Sequence, residues 1–103
     1  MAGRLAGNVA VVSGGARAMG ASHVQALVDE GAKVVFGDIL DAEGEAVAND
    51  VGAAARYVHL DVTQPEDWQR VVATAVDEFG GVDILVNNAG IIGVFPLTES
   101  NQF

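Results

Sequence analysis

The chain has 103 residues, enough for one domain with a single core, and 50% of its residues are hydrophobic, with a mean hydropathy of +0.33. Its 14 acidic and 5 basic residues give a net charge of −9, which argues against binding to nucleic acid or to anionic membranes. The sequence has no cysteine, which excludes disulfides and thiolate metal sites and fits a reducing, cytoplasmic location.

Short apolar segments alternate with helical patterns along the chain. In chain order, the pattern predicts a strand at Val9–Val12, a helix at Met19–Glu30, a strand at Lys33–Gly37, a helix at Asp41–Val51, a strand at Arg56–Leu60, a helix ending at Phe79 and a strand at Asp83–Val86. This alternation is typical of a parallel sheet with helices on both faces. We therefore predict one α/β domain, residues 1–103, with strand order 3-2-1-4.

The third helix has the clearest signals of the three. Thr63, Gln64, Pro65 and Glu66 match a capping box with proline in the first turn, so we expect the helix to begin there. Apolar residues then recur at helical spacing and predict one core-facing stripe, formed by Trp68, Val71, Val72, Ala75, Val76 and Phe79.

A glycine-rich turn, Ser13–Gly20, joins the first strand to the first helix. Glycines permit a tight turn and a close approach of backbone N–H groups to a pyrophosphate, and the helix N-terminus adds unpaired donors and partial positive charge. The spacing is Ser13-Gly14-x-x-x-Ala18-x-Gly20 and does not match the familiar G-x-G-x-x-G. The turn indicates a phosphate site, although a plain strand-to-helix turn would use glycines in the same way.

Asp38 closes the second strand, at the distance from the turn that a dinucleotide-binding fold uses. A carboxylate there accepts hydrogen bonds from both hydroxyls of an adenosine ribose and repels a 2′-phosphate, which favours NAD over NADP. Arg17 argues the other way, since a cation could contact a 2′-phosphate. We give Asp38 more weight because it would lie directly on the ribose, and we predict NAD as the cofactor.

Asp61 and Val62 follow the third strand. The Asp61 side chain could accept a hydrogen bond from an adenine amino group while the Val62 N–H donates to a ring nitrogen; equally, Asp61 could form the turn before the third helix. Both interpretations stay open from the sequence alone. Ligands of open α/β sheets lie outside the carboxyl ends of the strands, where Ser13, Asp38, Asp61 and Asn87-Asn88 all fall.

The other residues that often carry chemistry have structural interpretations. His23 lies within the first helix, with no carboxylate or serine at a useful local spacing in the sequence, and His59 lies within the third strand, so we expect structural roles for both. Trp68 begins the apolar stripe and is expected in the core. No cluster of His, Asp and Glu has the spacing of metal ligands, and no G-K-[ST] segment indicates a P-loop nucleotidase.

These residues together resemble the short-chain dehydrogenase/reductase family. The family loop T-G-x-x-x-G-x-G corresponds to Ser13–Gly20, its Asp-Val adenine contact to Asp61-Val62, and its N-N-A-G motif stands intact at Asn87–Gly90. The segments Gly15–Arg17, Met19–Val24 and Gly31–Leu40 are similar to the bacterial NAD-dependent 3α-(or 20β-)hydroxysteroid dehydrogenases. The resemblance implies the N-terminal half of a three-layer Rossmann-type fold, which binds NAD(H) in an alcohol/ketone oxidoreductase.

The same resemblance implies a role for each residue of the site. The pyrophosphate and ribose would be lined by Ser13, Gly14, Arg17, Met19 and Gly20, the adenosine ribose bound by Asp38, the adenine by Asp61 and Val62, and the nicotinamide-side ribose by the backbone of Asn88, Ala89 and Gly90. Ala18 departs from the family pattern, which has glycine there, and its methyl group is expected to crowd the cofactor.

The family's catalytic Asn, Ser and Tyr-x-x-x-Lys follow the N-N-A-G strand, and the sequence given ends at Phe103. We therefore predict no catalytic residue here and a truncated cofactor-binding part, with a small hydrophobic alcohol or ketone as substrate only in a full-length relative. The alternatives are a nucleotide-binding or self-associating fragment without catalysis, or an inert remnant. Self-association would use the fourth strand, which we expect as an exposed apolar edge.

Overall fold

The computed structural model of the chain describes residues 4–16, 18–87 and 94–96, with the backbone alone for Ala18, Met19 and Val94–Pro96. Its elements are, in chain order, β1 (Val9–Ser13), α1 (Ala18–Asp29), β2 (Lys33–Asp38), α2 (Asp41–Val51), β3 (Ala55–His59), α3 (Pro65–Phe79), β4 (Ile84–Asn87) and β5 (Val94–Pro96). The predicted alternation of strands and helices is confirmed, with ends that differ by about one residue, as is usual for such boundaries.

The strands form one sheet in the order β3-β2-β1-β4-β5. β1 to β4 are parallel, and β5 runs antiparallel to β4. The central strand is β1, where Val11 lies opposite Val35 on one side and Leu85 on the other. The predicted order 3-2-1-4 is therefore confirmed, and the carboxyl ends of all four parallel strands meet at one edge of the sheet.

Both faces of the sheet are buried, which explains why β1 is continuously apolar. Ala10 and Val12 pack in the core layer beneath α1 and α2, whereas Val9 and Val11 pack in the layer beneath α3. Phe36 is the largest fully buried side chain and belongs to the first layer. The chain thus has the predicted three layers, with the sheet in the middle.

α2 contains a glycine because the helix lies very close to β3. Gly44 is buried, and a Cβ atom at that position would overlap the ring of Tyr57, with the ring's Cζ atom at only 2.5 Å. Glycine within a helix costs about 1 kcal/mol relative to alanine. The close packing of the tyrosine ring against α2 therefore requires glycine here, despite the low helix propensity of glycine.

The capping box predicted at the start of α3 is wrong. The N-cap residue is Gln64, which makes no side-chain capping hydrogen bond, and Pro65 is the first helical residue. The Thr63 hydroxyl donates instead to Oδ1 of Asp61 at 2.7 Å. A carboxylate two residues away offers a charge-assisted hydrogen bond, which draws the hydroxyl into the turn before the helix.

The predicted core stripe of α3 is wrong at two of its positions. Val72 and Val76 are 39% and 50% exposed, whereas the other residues of the stripe are buried or pack against the core. α3 packs on β1, β2 and β3. Its apolar arc is wider than the strip of helix that these strands cover.

The expectation of an exposed edge at the fourth strand is also wrong. β5 pairs with β4 from Ile84 to Val86, so these residues have a strand on both sides. An apolar segment that follows closely in sequence supplies the antiparallel partner, and Pro96 is tolerated because β5 is itself the outermost strand. Self-association of the chain stays a prediction, but these residues of β4 do not offer the open edge proposed for it.

Candidate functional site at the carboxyl edge of the sheet

Polar residues from separate strands meet where the parallel strands end. Ser13 of β1 lies opposite Asn87 of β4, and Asp38 of β2 lies opposite His59 of β3. Asp61 follows two residues after His59. The predicted gathering of polar strand ends at one edge is therefore present in the structure, and α1, α2 and α3 all begin at the same edge.

The glycine turn after β1 is held by hydrogen bonds within the protein. Gly14 has a φ of +73°, in the left-handed region that favours glycine. The N–H groups of Gly14 and Gly15 both donate to the carbonyl oxygen of Gly37, at 2.7 and 3.2 Å. Because these two donors are engaged with β2, a phosphate would find its donors at the start of α1.

Two glycines also allow α1 to start in contact with the turn. A Cβ atom at Gly15 would lie 2.7 Å from the ring of Phe36, and one at Gly20 would overlap the carbonyl oxygen of Gly14. Packing alone therefore explains both glycines, which agrees with the interpretation of a plain strand-to-helix turn. What points to a ligand is the surroundings of the turn.

The first turn of α1 differs in charge from those of the other two helices. It contains no acidic residue, whereas α2 begins with Asp41 and Glu43, and α3 with Glu66 and Asp67. The first N–H groups of a helix lack intrahelical partners and carry a partial positive charge. Of the three helices described, α1 alone leaves this end without a carboxylate of its own, and an external anion is favoured there.

Asp38 bridges the glycine turn and the turn that leads to α2. Its Oδ2 atom accepts a hydrogen bond from the N–H of Ala16 at 3.2 Å. Its Oδ1 atom accepts from the N–H groups of Ile39 at 2.7 Å and Leu40 at 3.2 Å. The carboxylate is thereby fixed beside the glycine turn, next to the helix start that favours an anion.

A polar cluster beside Asp38 was missed by reasoning from the sequence. The Tyr57 hydroxyl lies 2.6 Å from the carbonyl oxygen of Asp38 and 2.5 Å from Oδ1 of Asp41. His59 Nδ1 lies 2.8 Å from the same Asp41 oxygen. The alternation Tyr57-x-His59 could have revealed the cluster, because residues two apart in a strand share a face.

The contacts within this cluster shift the pKa values of its members. The hydrogen bond from Tyr57, followed by that from His59, lowers the pKa of Asp41. The Asp41 carboxylate in turn raises the pKa of His59, chiefly through their hydrogen bond. Burial, followed by the Asp41 hydrogen bond, raises the pKa of Tyr57, so its hydroxyl stays protonated and can donate at neutral pH.

Asp61 uses its carboxylate to shape the turn before α3. Oδ1 accepts hydrogen bonds from the Thr63 N–H at 3.0 Å and from the Thr63 hydroxyl at 2.7 Å, and the hydroxyl bond is the main reason that the pKa of Asp61 is lowered. Its backbone N–H donates to Oδ2 of Asp67 at 2.9 Å. The turn-forming interpretation is confirmed, and the contact with adenine stays a prediction.

Two apolar side chains lie directly after the two aspartates. Ile39 is 59% exposed and Val62 is 41% exposed. The indole N–H of Trp68 donates to the carbonyl oxygen of Val62 at 2.9 Å, which holds the backbone there. The sequence predicted a contact through the Val62 N–H, which stays a prediction, and gave neither apolar side chain a role; the place of Ile39 directly after Asp38 was the available signal.

Ser13 connects two strands at the site. Its side chain is fully buried, and its hydroxyl donates to Oδ1 of Asn87 at 2.9 Å. The hydrogen bond ties β1 to β4 at the carboxyl edge. Contact of Ser13 with a pyrophosphate stays a prediction, since the structure gives its hydroxyl a partner in β4.

Several predicted site residues fall outside the description of side chains. Arg17 and Asn88–Gly90 lie outside the described residues, and Met19 is described by its backbone, within the first turn of α1. Ala18 is the first helical residue of α1. Because a helical backbone has negative φ, Ala18 does not need the left-handed conformation that would strain an alanine.

The described part of the chain offers neither a metal cluster nor a membrane-spanning helix. Within those residues, no group of three or more His, Asp or Glu side chains is placed to hold a metal ion. None of the described helices has both the length and the apolar character needed to cross a bilayer.

Trp68 packs against the core on the α3 side, as predicted.

Comparison with known proteins identifies relatives along nearly the whole chain. The family model for the short chain dehydrogenases matches residues 8–102. The 3-alpha-(or 20-beta)-hydroxysteroid dehydrogenase of Mycobacterium tuberculosis is 69% identical over 104 residues, which cover 96% of this chain and 40% of that protein. The trans-4-hydroxycyclohexanecarboxylate dehydrogenase of Sinomonas cyclohexanicum is 50% identical, over 85% of this chain and 38% of that protein.

A solved structure shares the fold. The 3-ketoacyl-(acyl-carrier-protein) reductase from Brucella melitensis, complexed with NADH, superposes with a TM-score of 0.80 at 41% identity. The match covers 84% of this chain and 36% of the reductase chain. This chain therefore spans about 40% or less of the length of each of these three relatives.

Proposed function

This chain belongs to the short chain dehydrogenase family, and from that premise we propose that it forms the NAD(H)-binding part of an alcohol/ketone oxidoreductase. The observation that carries the proposal is the hydrogen bond from the Ala16 N–H to the Asp38 carboxylate. It brings the glycine turn and the acidic end of β2, two features distant in sequence, into contact beside the uncharged start of α1.

Each part of the adenosine diphosphate half of NAD has a partner of suitable chemistry here. The pyrophosphate would accept hydrogen bonds from the first N–H groups of α1, and Asp38 would accept them from the ribose hydroxyls. The adenine would lie against the exposed side chains of Ile39 and Val62, with Asp61 at its amino group. Arg17, within the glycine turn, is expected beside the pyrophosphate and ribose, and Asn88–Gly90, which match the N-N-A-G motif, beside the nicotinamide-side ribose.

We infer that the cofactor is NAD and not NADP. The 2′-phosphate of NADP would lie against the Asp38 carboxylate, and two like charges in contact repel strongly. Asp38 also holds its place through three backbone N–H groups, so it has little freedom to turn away. NADP is therefore expected to bind at least about tenfold more weakly than NAD.

The nicotinamide group, when bound, supplies hydride exchange with a carbonyl carbon of the substrate. The residues of this chain bind and orient the cofactor at the sheet edge. We further propose a hydroxysteroid or a similar hydrophobic alcohol as the substrate of the whole protein, because the Mycobacterium relative that bears this name is 69% identical.

Calorimetric titration of the purified 103-residue chain tests the cofactor proposal. NAD should bind saturably, and Asp38→Ala should weaken binding at least about tenfold, since a hydrogen bond to a charged group contributes about 1.5–3 kcal/mol. Asp77→Ala is the matched control, because it removes an exposed carboxylate from α3, away from the sheet edge. Equal NAD affinities of the wild-type and Asp38→Ala chains would overturn the proposal.

A chimaera tests whether this chain can serve as the cofactor-binding part of a steroid-oxidising enzyme. Residues 1–103 would replace the matching part of the Mycobacterium tuberculosis relative, and NAD-dependent oxidation of a 3α- or 20β-hydroxysteroid would be followed by NADH absorbance. Turnover that is lost in the Asp38→Ala chimaera supports the proposal. A folded chimaera that binds NAD but oxidises no steroid would contradict that role while leaving the cofactor site intact.

A further inference from the structure

The carbonyl group of Asp38 is held by β3 from two directions. Its oxygen accepts a hydrogen bond from the Leu60 N–H at 3.0 Å, which continues the pairing of β2 with β3. It also lies 2.6 Å from the Tyr57 hydroxyl oxygen, whose single O–H group is shared between this carbonyl oxygen and Oδ1 of Asp41. Only the first of these belongs to the regular sheet, so the tyrosine adds a side-chain constraint on the peptide that leaves Asp38.

That peptide also orients the Asp38 carboxylate. The carbonyl of Asp38 and the N–H of Ile39 belong to the same planar unit, so fixing one fixes the direction of the other. The Ile39 N–H donates to Oδ1 of Asp38 at 2.7 Å. A chain of contacts therefore runs from the Tyr57 hydroxyl through one rigid peptide to the carboxylate.

The tyrosine ring is itself firmly seated. It lies against Phe36, with ring centroids 5.5 Å apart and planes inclined at 58°. On the other side it fills the space left by the absent side chain of Gly44 in α2. Because the ring is wedged between core and helix, its hydroxyl has a fixed position.

The hydroxyl also reaches the beginning of α2. Oδ1 of Asp41, the first residue of that helix, lies 2.5 Å from the Tyr57 oxygen. The same oxygen is 2.8 Å from Nδ1 of His59, which holds the carboxylate from a second side. The end of β2 and the start of α2 are therefore anchored to one hydroxyl group on β3.

From this geometry we propose that Tyr57 is a positioning residue for the adenosine ribose, which it serves by fixing the Asp38–Ile39 peptide and, through it, the Asp38 carboxylate. The proposal rests on the proposed function, because it assumes that Asp38 binds the ribose. Tyr57 touches neither the ribose nor the reacting atoms and acts through Asp38.

The test compares Tyr57→Phe with the wild-type chain, using AMP and 2′,3′-dideoxy-AMP as the two ligands. Phenylalanine keeps the ring in its place and removes the hydroxyl alone. Affinity for AMP should fall about fivefold, the effect of one hydrogen bond, whereas affinity for 2′,3′-dideoxy-AMP should be unchanged because it has no hydroxyls for Asp38. If Tyr57 had only a structural role, Tyr57→Phe would lower the affinity for both ligands equally.

Two further variants complete the experiment. Thr74→Val is the matched control, since it removes a hydroxyl that donates to the Arg70 carbonyl oxygen within α3, and it should leave both affinities unchanged. In an Asp38→Ala background, Tyr57→Phe should have no further effect on AMP, as expected for residues that act in series. If the wild-type and Tyr57→Phe chains bind AMP with the same affinity, the inference alone is overturned. Failure of the wild-type chain to bind AMP or NAD overturns the proposed function and the inference with it.

Discussion

The three helices begin at the same edge of the same sheet, yet their first turns have opposite electrostatic characters. α2 starts with Asp41 and Glu43 and α3 with Glu66 and Asp67, whereas α1 has no acidic residue in its first turn. Carboxylates near a helix N-terminus are stabilising because they meet its partial positive charge. Two of the three helix starts thus have carboxylates of their own near this partial positive charge.

The difference distinguishes one of the three helix starts as the one that favours an anion. All three helix starts carry the same backbone dipole, and topology alone does not distinguish them. In a chain with a net charge of −9, an external anion is repelled wherever carboxylates already stand. Among the described helices, the start of α1 has no carboxylate of its own, and it is therefore where the proposed pyrophosphate would meet the least repulsion from first-turn residues.

The largest expected effect comes from giving α1 the carboxylate that the other helices have. Ala18→Asp should raise the NAD dissociation constant at least about tenfold, because the new charge opposes the pyrophosphate at short range. The melting temperature should hold or rise, since an acidic residue in the first turn favours the helix. Calorimetry and thermal melting of the same samples measure the two opposite effects.

Two control variants isolate the position of that charge. Ala73→Asp adds the same carboxylate at an exposed site within α3 and should leave NAD affinity unchanged. Ala18→Gly restores the residue that the family pattern has, without adding charge. Equal losses of affinity in Ala18→Asp and Ala73→Asp would show that net charge matters and the helix start does not.

A smaller effect is expected from a change at the contact between α2 and the Tyr57 ring. Gly44→Ala should lower the free energy of unfolding by about 1–2 kcal/mol, because overlap with the Tyr57 ring costs more than the helical preference of alanine returns. Denaturant titration measures the loss. Gly81→Ala is the control, since a Cβ atom there meets nothing within 4 Å. Stabilisation by Gly44→Ala would mean that α2 can move away from the tyrosine.

The smallest effect concerns the charge at the start of α2. Asp41→Asn should lower the pKa of His59 toward its ordinary value of 6.5, because it removes the carboxylate that raises it. NMR titration of the imidazole C–H signals measures this pKa, with Asp50→Asn, at the other end of α2, as the control. An unchanged pKa of His59 in Asp41→Asn would contradict the contact.

The same contact determines the sign of a pH dependence. A histidine whose pKa is raised on folding contributes stability that is fully present below its unfolded pKa and is lost as the pH rises through the folded value. The melting temperature of the wild-type chain should therefore fall as the pH rises from about 6 to about 8. That of Asp41→Asn should fall less over that interval.

Prediction from sequence worked best where the signal is local. The period of apolar residues indicated the strands and helices, and the position of Asp38 at the end of β2 placed it at the candidate site. The capping box at Thr63 failed because Asp61 competes for the same hydroxyl. The strand β5 was missed because pairing with β4 depends on a chain reversal that no periodicity encodes.

The sequence by itself determined the alternation of elements, the strand order and the residues that stand at the strand ends, because these depend on periodicity, glycine and the short connections between neighbours. Only the tertiary structure decided which of those residues touch. The Tyr57 hydroxyl meets the carbonyl of Asp38 across 19 positions, and the Asp38 carboxylate meets Ala16 across 22. Such contacts depend on strand register and on the space beneath Gly44, which arise only when the strands and helices pack together.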